Sequence, residues 1–291
     1  RDRNAFDQPM TMRIATELPL KRAVVGGIER VYEIGRVFRN EGVDSTHSPE
    51  FTTLECYETY ADQFVMAERM KEIIQSCAKA VGTERIETEN GTIDLFGEWK
   101  WVGVYPGLSE AVGVEITPET DASVLREIAE KHEVDIDPKW DAEKLVTELF
   151  GEIVEPTLVN PTFVYDYPPS AQPLARPHRS GEPLIEAWDL IIGGMERGTA
   201  FSELIDPVIQ RERLTAQSLL AAAGDDEAME LDEDFLRALE HGAPPMGGLG
   251  LGIDRLIMLL AGDQDPERPG TVVRQPGIRE TILFPLMKPE A

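Results

Sequence analysis

The sequence predicts an α+β fold, a largely antiparallel sheet with helices packed on it. Three observations carry that expectation. Apolar and polar residues alternate in short runs, as in "FTTLECYETY" at 51–60. Neighbouring runs are joined by turn chemistry, as at Gly193-Gly194. Longer stretches between them carry apolar residues at helical spacing.

Residues 27–38 read as a strand entering the loop "RNEGVDSTHSPE", and 51–60 as the strand leaving it. In the second strand Phe51, Thr53, Glu55 and Tyr57 share one face, with Leu54, Cys56 and Glu58 on the other. Residues 61–80 read as a helix, with Phe64, Met70, Ile73, Ile74, Cys77 and Val81 at helical spacing. Two short helices are expected within 118–154, as an insertion over about 112–156 on the rim of the sheet. "PTFVYDYP" at 161–168 is a further strand. "LIEAWDLIIGG" runs to a glycine turn from which "MERGTAFSEL" returns. Asp206 caps a helix that opens on Pro207. A glycine-rich strand at 247–252 leads into the helix "IDRLIMLLA".

The chain has 291 residues, enough for a sizeable core. No run of 18 apolar residues occurs, so no membrane-spanning helix is expected. Cys56 and Cys77 form neither a disulfide framework nor a metal pattern, and a reducing cytoplasm is the compartment they suit. The net charge of −26 disfavours nonspecific binding to nucleic acid, while leaving room for a local basic patch at an RNA end.

Four groups of residues suit chemistry. Arg39 ends the first strand, and its fork of donors matches a phosphate or carboxylate. Glu41, His47 and Phe51 follow on the same loop, with Phe51 able to offer a ring to a flat base. Read singly, Arg39 is equally a surface ion pair, His47 a loop residue and Phe51 a core residue. Glu55 and Tyr57 share a strand face and suit an ammonium group, with Glu17 a further acid. In "MERGTAFSEL", Thr199, Phe201 and Glu203 share a face and Glu196 is out of phase by one. A bulge near Gly198 would unite the two glutamates, and paired carboxylates suit Mg²⁺ beside a polyphosphate. In "GGLGLGIDR", glycines 248, 250 and 252 strip one strand face bare, and Arg255 begins the next helix, where anions are favoured. The plainer reading is a glycine strand packed on a helix. Together the four groups describe a pocket for a nucleotide polyphosphate and an amine, where alignment and charge neutralisation are the chemistry required.

With these residues the chain resembles the catalytic domain of class II lysyl-tRNA synthetases. "ERVYEIGRVFRNEGVDSTHSPEFTTLECYETY" is similar to that family's second signature motif and "GGLGLGIDRLIML" to its third. "PTFVYDYP", "PLAR", "AFSELIDPVIQRER" and "IRETILFPLMKP" resemble further family blocks, in order, so that 1–291 reads as one catalytic domain. The resemblance implies a six-stranded antiparallel sheet flanked by helices, a homodimer, and two reactions. Lysine and ATP give lysyl-adenylate and pyrophosphate, and the lysyl group then passes to tRNA(Lys). Arg39 and Arg255 would be the catalytic cations. Arg39, Glu41, His47, Phe51, Glu196, Gly252 and Arg255 would bind ATP. Glu17, Arg39, Glu55, Tyr57, Thr199, Phe201 and Glu203 would bind lysine, and Glu196 and Glu203 would hold Mg²⁺.

The sequence departs from the family pattern at Ser48, Gln172, Ala187, Thr199 and Ile205. The family's first motif and its anticodon-binding OB domain are expected upstream of Arg1 and are absent from the sequence in hand. Two further readings belong beside the synthetase. One is a paralogue that lysylates another acceptor, elongation factor P or a membrane lipid. The other is a paralogue that binds lysine or ATP without activating it.

Overall fold

The computed structural model describes residues 11–40, 42–222 and 231–285. Helix α1 (Glu17–Val25) comes first, then strands β1 (Arg30–Phe38) and β2 (Glu50–Thr59). Helix α2 (Gln63–Val81) follows, capped by the Asp62 carboxylate, which accepts from the backbone N–H of Phe64 and Val65. Gly82 ends it in the left-handed region. Strands β3 (Arg85–Thr88), β4 (Gly91–Asp94) and β5 (Lys100–Gly103) lead into helices α3 (Val104–Val112), α4 (Ala122–Lys131) and α5 (Ala142–Ile153). Then come β6 (Thr162–Tyr165), β7 (Ala187–Ile191), β8 (Glu196–Ser202), α6 (Pro207–Ala222) and α7 (Glu233–Glu240). Strand β9 (Met246–Gly252) runs into α8 (Ile253–Leu260), followed by β10 (Asp263–Gln264), β11 (Thr271–Arg274) and α9 (Ile278–Thr281).

The main sheet has seven strands in the order β1-β2-β9-β8-β7-β6-β5. All neighbours are antiparallel except β5 and β6, which are parallel. That corrects the expectation of six antiparallel strands. A parallel pair needs a crossover, and α3, α4 and α5 supply it. A smaller sheet, β10-β11-β3-β4, was not foreseen. Its strands are two to four residues long, too short for a periodic signal.

Alternation decides what each face of the main sheet does. Trp188, Leu190, Ala200, Leu249 and Leu251 point one way and form a core with Met66, Met70 and Ile74 of α2 and Leu256 and Leu259 of α8. Ala187, Ile191 and Phe201 point the other way and join a core built on α3, α4, α5 and α7. Phe64 and Val81, at the expected helical spacing, are exposed instead. Phe64 lies against Trp101 with ring centroids 5.5 Å apart, outside the core. Between the two helical layers the second face is left open over β2, β9 and β8, and there the candidate site lies.

Two turns aim that face. Gly193 and Gly194 both have positive φ, the conformation a tight hairpin between β7 and β8 requires. Just beyond, the register slips between Leu190 and Ile191: Leu190 pairs with Gly198, but Ile191 pairs with Glu196. Arg197 is the extra residue of this bulge.

Candidate active site

Register places the site residues in rows across four strands. Asp189, Thr199, Gly250 and Glu55 are successive cross-strand partners. Ala187, Phe201, Gly248 and Tyr57 form the next row. Cross-strand partners point to one side, so each row presents its side chains to the open face. The cavity on that face has a volume of about 450 Å³. Glu17, Arg39, His47, Phe51, Glu55 and Tyr57 line it, as do Glu196, Thr199, Phe201, Gly252 and Arg255. These are all of the expected site residues except two: Glu41 lies outside the described residues, and Glu203 is buried against Gly248, which does line the cavity.

At one end are the cations. Arg255 donates from Nη1 to the Glu196 carbonyl at 3.0 Å, and its Nη2 lies 3.2 Å from His47 Nε2. The other His47 nitrogen is 2.8 Å from Asp44 Oδ2. Asp44 also accepts from the backbone N–H of Thr46 and His47, which fixes the loop and holds its carboxyl well below the usual range. Arg39 donates from Nε to the Ile14 carbonyl at 3.3 Å, and its guanidinium lies over the Phe51 ring, 5.2 Å from the centroid. One face of Phe51 is therefore already covered by Arg39. Asp254 ties the start of α8 to β2 by accepting from the Thr52 N–H at 2.7 Å.

Glu196 and Glu203 are not brought together, contrary to the sequence expectation. The bulge at Arg197 does put Glu196 in phase with Thr199, as a bulge there should. But Glu203 lies seven residues on along extended chain, roughly 20 Å at the usual rise. Its carboxylate is buried and paired with Lys21. The acid beside Glu196 is Asp189, in the row next to it. Burial, then the Glu196 charge, pushes the Asp189 carboxyl up to about 7. Glu155 behind them is also raised to about 7, by burial and by both of those charges. Asp189 and Glu196 carry no ion pair among the described residues. Two unneutralised carboxylates on one cavity wall fit a hard divalent cation. Among the described residues no three His, Cys, Asp or Glu side chains gather as metal ligands. A magnesium ion needs no more than one or two carboxylates when phosphates complete its shell.

At the other end lies an acidic wall. Glu55 is buried. Its Oε1 accepts from the Thr16 N–H at 3.1 Å and its Oε2 from the Tyr57 hydroxyl at 3.4 Å. Burial raises its pKa against those hydrogen bonds. Glu17 opens α1 and pairs with Lys21 one turn later. Burial pushes Glu203 up to about 8, the nearby Glu17 and Glu55 adding to it while Lys21 pulls the other way.

Sequence reading missed three residues. Asp189 had a signal, a lone carboxylate in the apolar strand "EAWDLII". Lys21 had one too, four residues after Glu17. Arg197 had none, because only the bulge turns it inward. It is 3% exposed and donates to the carbonyls of Ile192 and Arg255. Among the departures from the expected pattern, Ala187 is buried opposite Phe201, Ser48 donates to the Glu50 carbonyl, and Gln172 lines the cavity. Thr199 donates to the Trp188 carbonyl, and Ile205 packs with Val24 and Tyr57.

A model of the class II tRNA synthetases (D, K and N) matches residues 2–288. The chain belongs to that family. It is 50% identical over 289 residues to a lysine–tRNA ligase of Kineococcus radiotolerans, covering 98% of this chain and 55% of that protein. A lysine–tRNA ligase of Mycolicibacterium gilvum is 52% identical over 289 residues, with the same coverage. A lysylphosphatidylglycerol biosynthesis bifunctional protein of Nocardia farcinica is 48% identical over 292 residues, covering 98% of this chain and 25% of that protein. The chain thus spans about half the length of the ligases it matches. The mixed α+β architecture is that of a class II synthetase catalytic domain.

Proposed function

We propose that the chain is the lysine-activating domain of an ATP-dependent ligase. It joins lysine to ATP as lysyl-adenylate, releases pyrophosphate, and passes the lysyl group to tRNA(Lys). The observation that carries this is one cavity with arginines and a carboxylate pair at one end and buried acids at the other. A polyphosphate suits the first end and a diamine the second. The match to two lysine–tRNA ligases supports the same reading.

In this proposal a carboxylate oxygen of lysine attacks the α-phosphorus of ATP, and the bond to pyrophosphate breaks. Arg39 holds the α-phosphate and the lysine carboxylate. Arg255, fixed through His47 and the Glu196 carbonyl, takes charge on the leaving group. Glu41, His47, Phe51 and Gly252 take the rest of the nucleotide. The bare backbone of Gly250 and Gly252 lets the reactants lie close to the sheet. Glu17, Glu55, Tyr57, Thr199, Phe201 and Glu203 take the lysine, and ionised acids hold its amines. Asp189 and Glu196 would hold Mg²⁺, which neutralises phosphate charge when bound. Lysine-dependent ATP–pyrophosphate exchange tests the reading, and good exchange with another amino acid in place of lysine overturns it.

A cytoplasmic homodimer belongs to the same proposal. Tyr32 and Ile34 are exposed on β1, at one edge of the sheet, which supports a partner there. No helix among the described residues is long and apolar enough to cross a membrane. Sedimentation of the intact protein tests the dimer. The bifunctional relative favours a second reading, a lysyl group destined for lipid. Offering charged tRNA alone, then charged tRNA with phosphatidylglycerol vesicles, separates the two acceptors.

A further inference from the structure

The acidic wall already contains an ammonium group. Lys21 is 1% exposed, and its Nζ is paired with Glu17 Oε1 and Glu203 Oε2. Three rings surround it, with centroids 5.7 Å away for Tyr57, 5.5 Å for Phe201 and 6.0 Å for Phe235. The other oxygen of Glu203, Oε1, is buried and accepts no hydrogen bond. It lies against Gly248, where an added Cβ would come within 2.1 Å of it. Gly248 lines the cavity. A buried carboxylate oxygen left unpartnered is costly unless a ligand completes it.

We propose that Lys21 is a positioning residue that sets which amine the pocket accepts, by committing one oxygen of Glu203 and one of Glu17 and leaving Glu203 Oε1 for the substrate. This rests on the lysine-activating reading above. Charge supports it. Glu17, Glu55 and Glu203 are three carboxylates, and Lys21 offsets one of them. The remaining two match an amino acid with two ammonium groups, whose own carboxylate goes to Arg39. Reach supports it as well. Lys21 is paired with Oε2, while Oε1 lies against the cavity-lining Gly248, so in this proposal an amine long enough to reach Oε1 is held and one a methylene shorter is not. Discrimination by a single methylene is worth about 10- to 200-fold, and a fixed acceptor makes the most of it.

The test is lysine-dependent ATP–pyrophosphate exchange by the intact protein and its K21M and K21R variants, with ornithine as the competing amino acid. In K21M the KM for lysine rises about tenfold or more, while the KM for ATP stays within about twofold. The preference for lysine over ornithine shrinks severalfold. K21R, which keeps the charge on a wider head, falls between. A folded K21M with an unchanged lysine KM overturns the proposal. So does a K21M in which kcat and both KM values deteriorate together, since that is general loss of structure. If K21M does not fold, K21R decides: a raised lysine KM supports the proposal, and an unchanged one shows that the charge serves folding alone. No lysine-dependent exchange by the unsubstituted protein overturns the activity itself, and this inference with it.

Discussion

Arg255 Nη2 and His47 Nε2 lie 3.2 Å apart, joining the start of α8 to the loop between β1 and β2. Asp44 accepts from the opposite ring nitrogen at 2.8 Å, so the tautomer protonated on Nδ1 satisfies both contacts. Arg255 is thereby aimed before any ligand arrives. Arg255→Ala should lower kcat/KM for exchange about 100-fold or more, roughly 3 kcal/mol of lost charge stabilisation. His47→Ala leaves the cation but frees it to wander, and should cost about 1 kcal/mol, mostly as a higher KM for ATP. Equal effects of the two substitutions would contradict this division of roles.

The glycines of β9 are not equivalent. A Cβ at 248 would meet Glu203 Oε1 at 2.1 Å and the Tyr57 ring at 2.3 Å, both buried groups. A Cβ at 250 meets nothing closer than 3.9 Å, at Glu55 and Thr199. Gly248→Ala should therefore lower the melting temperature and remove lysine-dependent exchange. Gly250→Ala should melt near the parent and still raise the lysine KM, since its methyl enters the cavity floor. Calorimetry beside exchange kinetics checks both.

Metal dependence distinguishes Asp189 from Glu203. Asp189→Asn removes half of the carboxylate pair, so the magnesium concentration for half-maximal exchange should rise about tenfold. Glu203→Gln should leave that concentration nearly unchanged and raise the lysine KM. The opposite pattern would return the metal site to Glu196 and Glu203.

Lysine affinity should depend on pH with a definite sign. Glu203, held up to about 8 mainly by burial, binds an ammonium only when ionised. Glu17, Glu55, Tyr57 and Lys21 face it, and Glu55 is raised in the same direction. The lysine KM should fall as pH rises through about 8, until the substrate amine itself deprotonates near its usual value of about 10.4. A lysine KM flat between pH 6 and 9 would contradict this, and steady-state exchange in a constant-ionic-strength buffer series measures it.

Acid stability should reside in the loop leading to β7. Burial pushes the Glu186 carboxyl up, but hydrogen bonds from Arg179 and Ser202 and the Arg179 charge outweigh it and hold it at about 2. A depressed carboxylate stabilises the fold fully above its unfolded value near 4.5 and loses that contribution as pH falls towards 2. Glu186→Gln should thus melt lower than the parent at pH 7, and the gap should close between pH 4.5 and 2.

The sequence by itself determined the long strands β1, β2, β8 and β9, helices α2 and α6 and the open face of the sheet, but not the smaller sheet or the exposure of Phe64 and Val81. Alternation in 51–60 put Glu55 with Tyr57, the glycines of 247–252 bared one strand face, and Pro207 after Asp206 started a helix where α6 starts. These signals are local, because a side chain's face follows from its neighbours in the chain. Local signals also led to the family, since its motifs are contiguous stretches. Tertiary structure alone decided which distant groups meet. The bulge at Arg197 brought Glu196 into phase with the Asp189 row, and the packing of α1 on β2 delivered Lys21 to Glu203. A bulge and a helix docking angle depend on contacts among residues far apart in sequence, and no spacing along one strand encodes them.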